Sequence, residues 1–162
     1  MNKTDLDRAL LAGAAYGKVR STNNFVPYPV DAVQLGEGVQ TPSGFEAYSN
    51  RYDGKIAIAF AGTLFPGSGV FGGTAESTLS QLDWIANVAL GVGLASRQIF
   101  DAAHYYQQLR QANPGAEIVF TGHSLGGGLA ALMGVFFDKV VYTFDPAPRS
   151  GSRPNLRRGS MA

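Results

Sequence analysis

Residues 119–128 read V-F-T-G-H-S-L-G-G-G. A short apolar, β-rich run stops at Gly122, Ser124 follows two residues later, and Gly126 two beyond that. After it, L-G-G-G-L-A-A-L-M is rich in small residues and reads as the start of a helix. A strand that turns sharply into a helix needs backbone room on both sides of the bend, which glycines at 122 and 126 supply. The residue at the apex is then forced into a strained conformation with its side chain presented outward. The helix that follows points free N–H groups and a partial positive charge at that side chain, where an oxyanion would be stabilised. The pattern G-x-S-x-G in this context makes Ser124 a candidate nucleophile. The competing readings are a glycine-rich helix start with a solvated serine, and a phosphate cradle. The cradle is disfavoured because neither G-x-x-x-x-G-K-[ST] nor G-x-G-x-x-G follows the strand.

Upstream, I-A-I-A-F-A-G-T-L (56–64) reads as a buried strand running into Gly62-Thr63. An elbow serine needs a second oxyanion donor from a loop after an earlier strand, and Thr63 stands where one is required. Read by itself, Thr63 is an ordinary loop threonine; with an elbow some sixty residues on, its backbone N–H or hydroxyl becomes a candidate donor.

The rest of the chain fits around these two stretches. Residues 4–17 predict a helix capped by Thr4, with Asp5 and Asp7 in its first turn and Leu6, Leu10, Ala14 and Gly17 along one face. Residues 21–44 read as a loop with at most one short strand. The segment 45–60 predicts a hairpin whose turn is Asp53-Gly54 and whose second strand is Lys55 to Phe60. Residues 65–73, F-P-G-S-G-V-F-G-G, contain four glycines and three large apolar side chains. They suit either a loop that opens to present an apolar surface or one whose Phe side chains stay packed in the core. Helices are expected at 77–90 and 96–112, the latter stopped by Asn113-Pro114-Gly115. Then come a strand at 117–121, a helix at 125–137 and a strand at 140–144. Strands alternating with helices predict an α/β fold, a mostly parallel sheet with helices on its faces.

Composition narrows the classes. The 162 residues are 45% hydrophobic and 15% charged, as suits a packed domain. The net charge of +1 argues for no nucleic-acid partner, and the absence of cysteine excludes disulfides and thiolate metal sites. The first residues are polar and carry acids, unlike a signal peptide, and no apolar stretch reaches transmembrane length. On this reading the location is cytoplasmic, or reached by export that reads no N-terminal signal. Residues 1–146 carry nine Lys/Arg and twelve Asp/Glu, net −3, whereas 147–162 carry four Arg and no acid, net +4. We therefore divide the chain into a domain at 1–146 and a basic, disordered tail at 147–162, which is either a solvated end or a segment for an anionic surface.

Three stretches resemble the class 3 lipases, the fungal-type triacylglycerol lipases of the α/β-hydrolase superfamily. A-F-A-G-T-L (59–64) is similar to their oxyanion strand, although Ala61 stands where the family usually has a basic or polar residue. Q-L-D-W-I-A-N (81–87) is similar to their Asp-Trp segment, and T-G-H-S-L-G-G-G-L-A (121–130) to their elbow. The resemblance implies an α/β-hydrolase fold, ester or lipid substrates, no cofactor, and no metal. It implies an oxyanion hole formed by Thr63 and the backbone N–H of Leu125, and a lid at residues 65–73 that opens onto a lipid interface.

A serine needs a base to take its proton, and an acid usually orients that base. The family places both after the elbow. Here the two histidines are His104 and His123, and none follows. His123 is adjacent to Ser124, so its side chain should project away from the nucleophile, and His104 fits a helix surface. Asp145, in T-F-D-P-A-P, is either the triad acid at the end of a strand or a turn aspartate before Pro146. The expected fold is thus incomplete at its C-terminus, and its open sheet edge favours a homo-oligomer or a completing chain. Two functions follow: a serine esterase or lipase, and a non-catalytic relative that binds lipid or a partner.

Overall fold

The computed structural model describes residues 3–16, 26–62 and 94–145. In chain order these form α1 (Lys3–Ala14), β1 (Val33–Gln34), β2 (Val39–Gln40), β3 (Glu46–Tyr52), β4 (Lys55–Phe60), α2 (Leu94–Ala112), β5 (Ile118–His123), α3 (Leu125–Phe137) and β6 (Val141–Phe144). The helix expected at 77–90, the lid at 65–73 and the tail at 147–162 lie outside the described residues.

The strands form a mixed sheet in the order β1-β3-β4-β5-β6, with β2 also paired to β3. β3 and β4 are antiparallel, joined by the two-residue bend at Asp53-Gly54, where Tyr52 pairs with Lys55. Both bend residues have positive φ, 52° and 71°, the twist that suits a two-residue hairpin. From β4 onward the pairing is parallel: Ile56–Phe60 runs beside Ile118–Gly122, and Phe120–His123 beside Val141–Phe144. The alternation expected from the sequence therefore holds across β4, β5 and β6, the half that carries the elbow. The segment expected to hold at most one short strand holds two, each of two residues.

Side-chain alternation sorts the core. Ile56, Ile58, Phe60, Ile118 and Phe120 face α2 and α3, where they meet Ala102, Tyr106, Ala130 and Met133. Phe60 stacks on Phe120 with ring centroids 5.6 Å apart, and Tyr106 meets Phe120 edge-on at 5.5 Å. The opposite face presents small residues instead: Ala57 and Val119 against Leu11, and Ala59 and Ala61 against Ala15. Alanines here let α1 approach the sheet closely. Arg8 lies over the Tyr142 ring, 3.7 Å from its centroid, tying α1 across to β6.

The face of α1 differs from the expected one. Its buried residues are Asp7, Leu11 and Ala12, whereas Leu6 is exposed. The stripe is displaced by one position because an acid occupies the core side. Asp7 is only 6% exposed, and it accepts hydrogen bonds from the Tyr52 hydroxyl at 2.5 Å and from Lys3 Nζ at 2.6 Å. These two partners hold its carboxyl below the usual carboxylate range. A buried carboxylate with two donors is compatible with the core, so Asp7 anchors α1 to the end of β3 rather than merely favouring its first turn. On the other face, Thr41 Oγ1 and Ser43 Oγ both donate to Asp101 Oδ2, at 2.7 and 2.6 Å, and pin the β2–β3 loop to α2.

Candidate active site

The elbow forms where β5 ends and α3 begins. Ser124 has φ 55° and ψ −125°, a region that side-chain-bearing residues rarely enter. Two features hold it there. Its N–H donates to the Phe144 carbonyl of β6 at 3.1 Å, so the backbone still follows the sheet as it turns. Its carbonyl accepts from the Gly128 N–H at 3.1 Å, so the helix has already begun. One residue must therefore serve both elements, and the strain is the result.

The flanking glycines are required by contact. A Cβ on Gly122 would run into the backbone of Gly126 and come within 2.8 Å of the Gly127 nitrogen. A Cβ on Gly126 would run into the Phe60 carbonyl and come within 2.8 Å of the Ala61 carbonyl carbon. The first turn of α3 thus rests directly on the C-terminal end of β4, the strand that leads to Gly62. No side chain could be inserted without separating the elbow from that loop.

The Ser124 side chain makes no capping hydrogen bond to α3 and is half-buried rather than enclosed. An N-terminal serine ordinarily caps its helix; here the bend aims the hydroxyl elsewhere. Leu125, the first residue of α3, is half-buried, and its backbone N–H belongs to the helix's unsatisfied first turn. Gly62 is the last described residue of the loop after β4, and Thr63 lies outside the described residues.

The remaining candidates are distributed around the elbow. Asp145 directly follows β6, exposed, with φ 44°. Parallel pairing puts His123 opposite Phe144, so Asp145 sits one strand over from Ser124 at the same end of the sheet. His104 is exposed on α2. His123 turns its ring toward Tyr16. Its Nδ1 is 2.9 Å from the hydroxyl of Tyr16, whose ring meets it edge-on at 5.9 Å. Tyr16 follows the end of α1 and had no place in the sequence reading. Among the described residues no three His, Cys, Asp or Glu side chains come together as a metal site would need, and no helix is long and apolar enough to cross a membrane.

Comparison with known proteins then assigns the family. The profile of the Tle-like phospholipase domain, a phospholipase-like family, matches residues 7–155. The chain belongs to the Tle-like phospholipase family. An extracellular phospholipase A1 of Serratia liquefaciens is 32% identical over 130 residues, 72% of this chain and 34% of that protein. Among solved structures, lipase II from Rhizopus niveus aligns with a TM-score of 0.50 at 19% identity, over 89% of this chain and 62% of the lipase. The lipase of Rhizopus microsporus var. chinensis aligns at 0.49 and 21%, over 87% of this chain and 56% of its own. The chain thus spans about a third of the phospholipase and about three fifths of the lipases it matches. The likeness to the Rhizopus niveus enzyme gives this Tle-like domain the lipase α/β-hydrolase fold, over part of that fold's length. The resemblance drawn from the three motifs and the family match agree on a lipase-type α/β-hydrolase.

Proposed function

We propose that this chain carries the nucleophile half of a lipid carboxylic-ester hydrolase, with Ser124 as the attacking residue. The observation that carries the proposal is the backbone of Ser124, strained between β5 and α3 with its hydroxyl uncommitted to the helix cap. In the reaction, Ser124 Oγ adds to the ester carbonyl carbon while a base accepts its proton. The carbonyl oxygen becomes an oxyanion facing the Leu125 N–H and a donor from Thr63. Collapse expels the alcohol with a returned proton and leaves an acyl-serine. Water then attacks the acyl-serine, releases the acid and restores the hydroxyl. The phospholipase relative and the family support a phospholipid ester as substrate.

The base is assigned to residues outside these 162. His123 is engaged by Tyr16 on the far side of β5, and His104 is exposed on α2. We assign Asp145 to the turn after β6, because Asp tolerates a left-handed backbone and its exposed carboxylate has no hydrogen-bond or ion-pair partner among the described residues. The missing base favours one second reading, a chain that binds an acyl ligand and does not turn it over alone. A completing segment or second chain at β6, where the described sheet ends, would unite the two.

The test is slow covalent labelling of the purified chain by a fluorophosphonate, with peptide mapping. Labelling is expected at Ser124, lost in Ser124→Ala, and within about twofold of wild type in Asp145→Asn, since Asn accepts the same backbone. A wild type left unlabelled at saturating probe overturns the nucleophile assignment. An Asp145→Asn variant that stops labelling returns that residue to the triad.

A further inference from the structure

The Tyr16 hydroxyl touches both sides of the proposed site. It donates to the His123 carbonyl at 3.3 Å and lies 2.9 Å from His123 Nδ1. On its other side, a Cβ on Gly62 would stand 2.7 Å from the same oxygen. His123 immediately precedes Ser124, and Gly62 immediately precedes Thr63. One oxygen, delivered from the end of α1, is therefore wedged between the two chain segments whose next residues are the nucleophile and the second oxyanion donor.

The hydroxyl bonds the ring nitrogen in either tautomer, as donor to a bare Nδ1 or as acceptor from Nδ1–H. One atom thus lies within reach of both the side chain and the backbone of His123. Gly62 has no positive φ, so its backbone would accept a side chain. The nearest atom a side chain there would meet is the hydroxyl, which would have to shift. The oxygen and the bare glycine fit each other as spacer and seat.

We propose that Tyr16 is a positioning residue: its hydroxyl sets the distance between Gly62, in the loop after β4, and the His123-Ser124-Leu125 bend. The proposal rests on the assignment of Ser124 as nucleophile with Thr63 and Leu125 as oxyanion donors. Tyr16 reaches no reacting atom and is not itself catalytic. Donor placement matters steeply, since displacements of an ångström in such sites cost large factors in rate.

The experiment is a two-residue cycle read by the fluorophosphonate labelling rate at Ser124, with thermal melting run in parallel. Tyr16→Phe keeps the ring and removes the oxygen. It should slow labelling about fivefold, the scale of one lost hydrogen bond, with little change in the melt. Gly62→Ala in the wild-type background should slow labelling about tenfold or more, because its Cβ displaces the hydroxyl and the loop with it. In the double variant the added methyl finds the space the oxygen left, so labelling should be faster than in Gly62→Ala alone. A ring that merely packs predicts no loss in Tyr16→Phe and simple addition in the double variant, and that pair of results overturns the proposal. Nitrogen-15 NMR of His123 gives a second readout: a changed Nδ1 shift in Tyr16→Phe supports the contact, and an unchanged shift overturns it. A wild type that takes no label removes the nucleophile assignment and this proposal together, whereas a labelled wild type indifferent to Tyr16→Phe and Gly62→Ala removes this proposal alone.

Discussion

Two tight bends in this chain have nearly the same φ and are held by different forces. At the β3–β4 hairpin, Asp53 has φ 52° and Gly54 φ 71°, and a Cβ on Gly54 would meet nothing within 4 Å. At the elbow, Ser124 has φ 55° with ψ −125°, and the glycines beside it have backbone where a Cβ would go. The hairpin is held by local preference, because Asp and Gly adopt left-handed conformations at low cost. The elbow is held by its surroundings: two strands and a helix over-determine one residue that local preference would place elsewhere. Positive φ is therefore no mark of a site. Positive φ without a local reason, enclosed by glycines that have no room, is what sets Ser124 apart.

The largest effect that could break this comparison is Gly126→Ala. Its new methyl would meet the Phe60 carbonyl, and we expect a loss of about 4 kcal/mol or outright failure to fold, a large value for one methyl. The matching change at the hairpin, Gly54→Ala, meets only left-handed strain and should cost about 1 kcal/mol. Denaturant melts of the two variants side by side decide it, and equal losses would mean that the elbow is no tighter than the hairpin.

A smaller and opposite effect is expected at the apex. Ser124→Gly removes the strain of φ 55° and ψ −125°, so it should stabilise the fold by about 1 kcal/mol while abolishing covalent labelling. A variant that is less stable than wild type would show that the bend stores no strain.

The smallest effect lies at the hairpin end, where Tyr52 donates to Asp7 just before the bend. Lys3 and Tyr52 lower the Asp7 pKa below its ordinary 3.8. A group whose folded pKa is depressed contributes stability above its unfolded pKa and loses it as pH falls through the folded value. Melting temperature should therefore fall on acidification below about pH 4, and less steeply in Asp7→Asn than in wild type. Parallel slopes would detach Asp7 from the acid limb.

The elbow was legible from residues 119–128 because its chemistry is local: a β-rich run, two glycines two positions either side of a serine, then a helix of small residues. The hairpin was legible for the same reason, from Asp53-Gly54. The displaced face of α1 was not. An apolar stripe is read by hydrophobicity, and the residue on the core side is Asp7, whose burial depends on a tyrosine 45 residues away. Tyr16 was hidden more deeply. Nothing in A-A-Y-G relates it to a histidine at 123 or to a glycine at 62, and only the folded sheet brings the three together.

The contact between Tyr16 and His123 spans 107 positions of the chain, and it has a consequence for how the molecule is made. At synthesis rates of about 5–20 residues per second, the first helix waits roughly five to twenty seconds before the strand bearing His123 exists. Until then Leu11 lacks Val119 and can dock against Ala57 of β4 and Tyr52 at the end of β3. Tyr16 is thus translated well before the bend it contacts and is fitted to it late. Capture of the nascent α1 by another surface would delay the bend at Ser124 more than the β3–β4 hairpin.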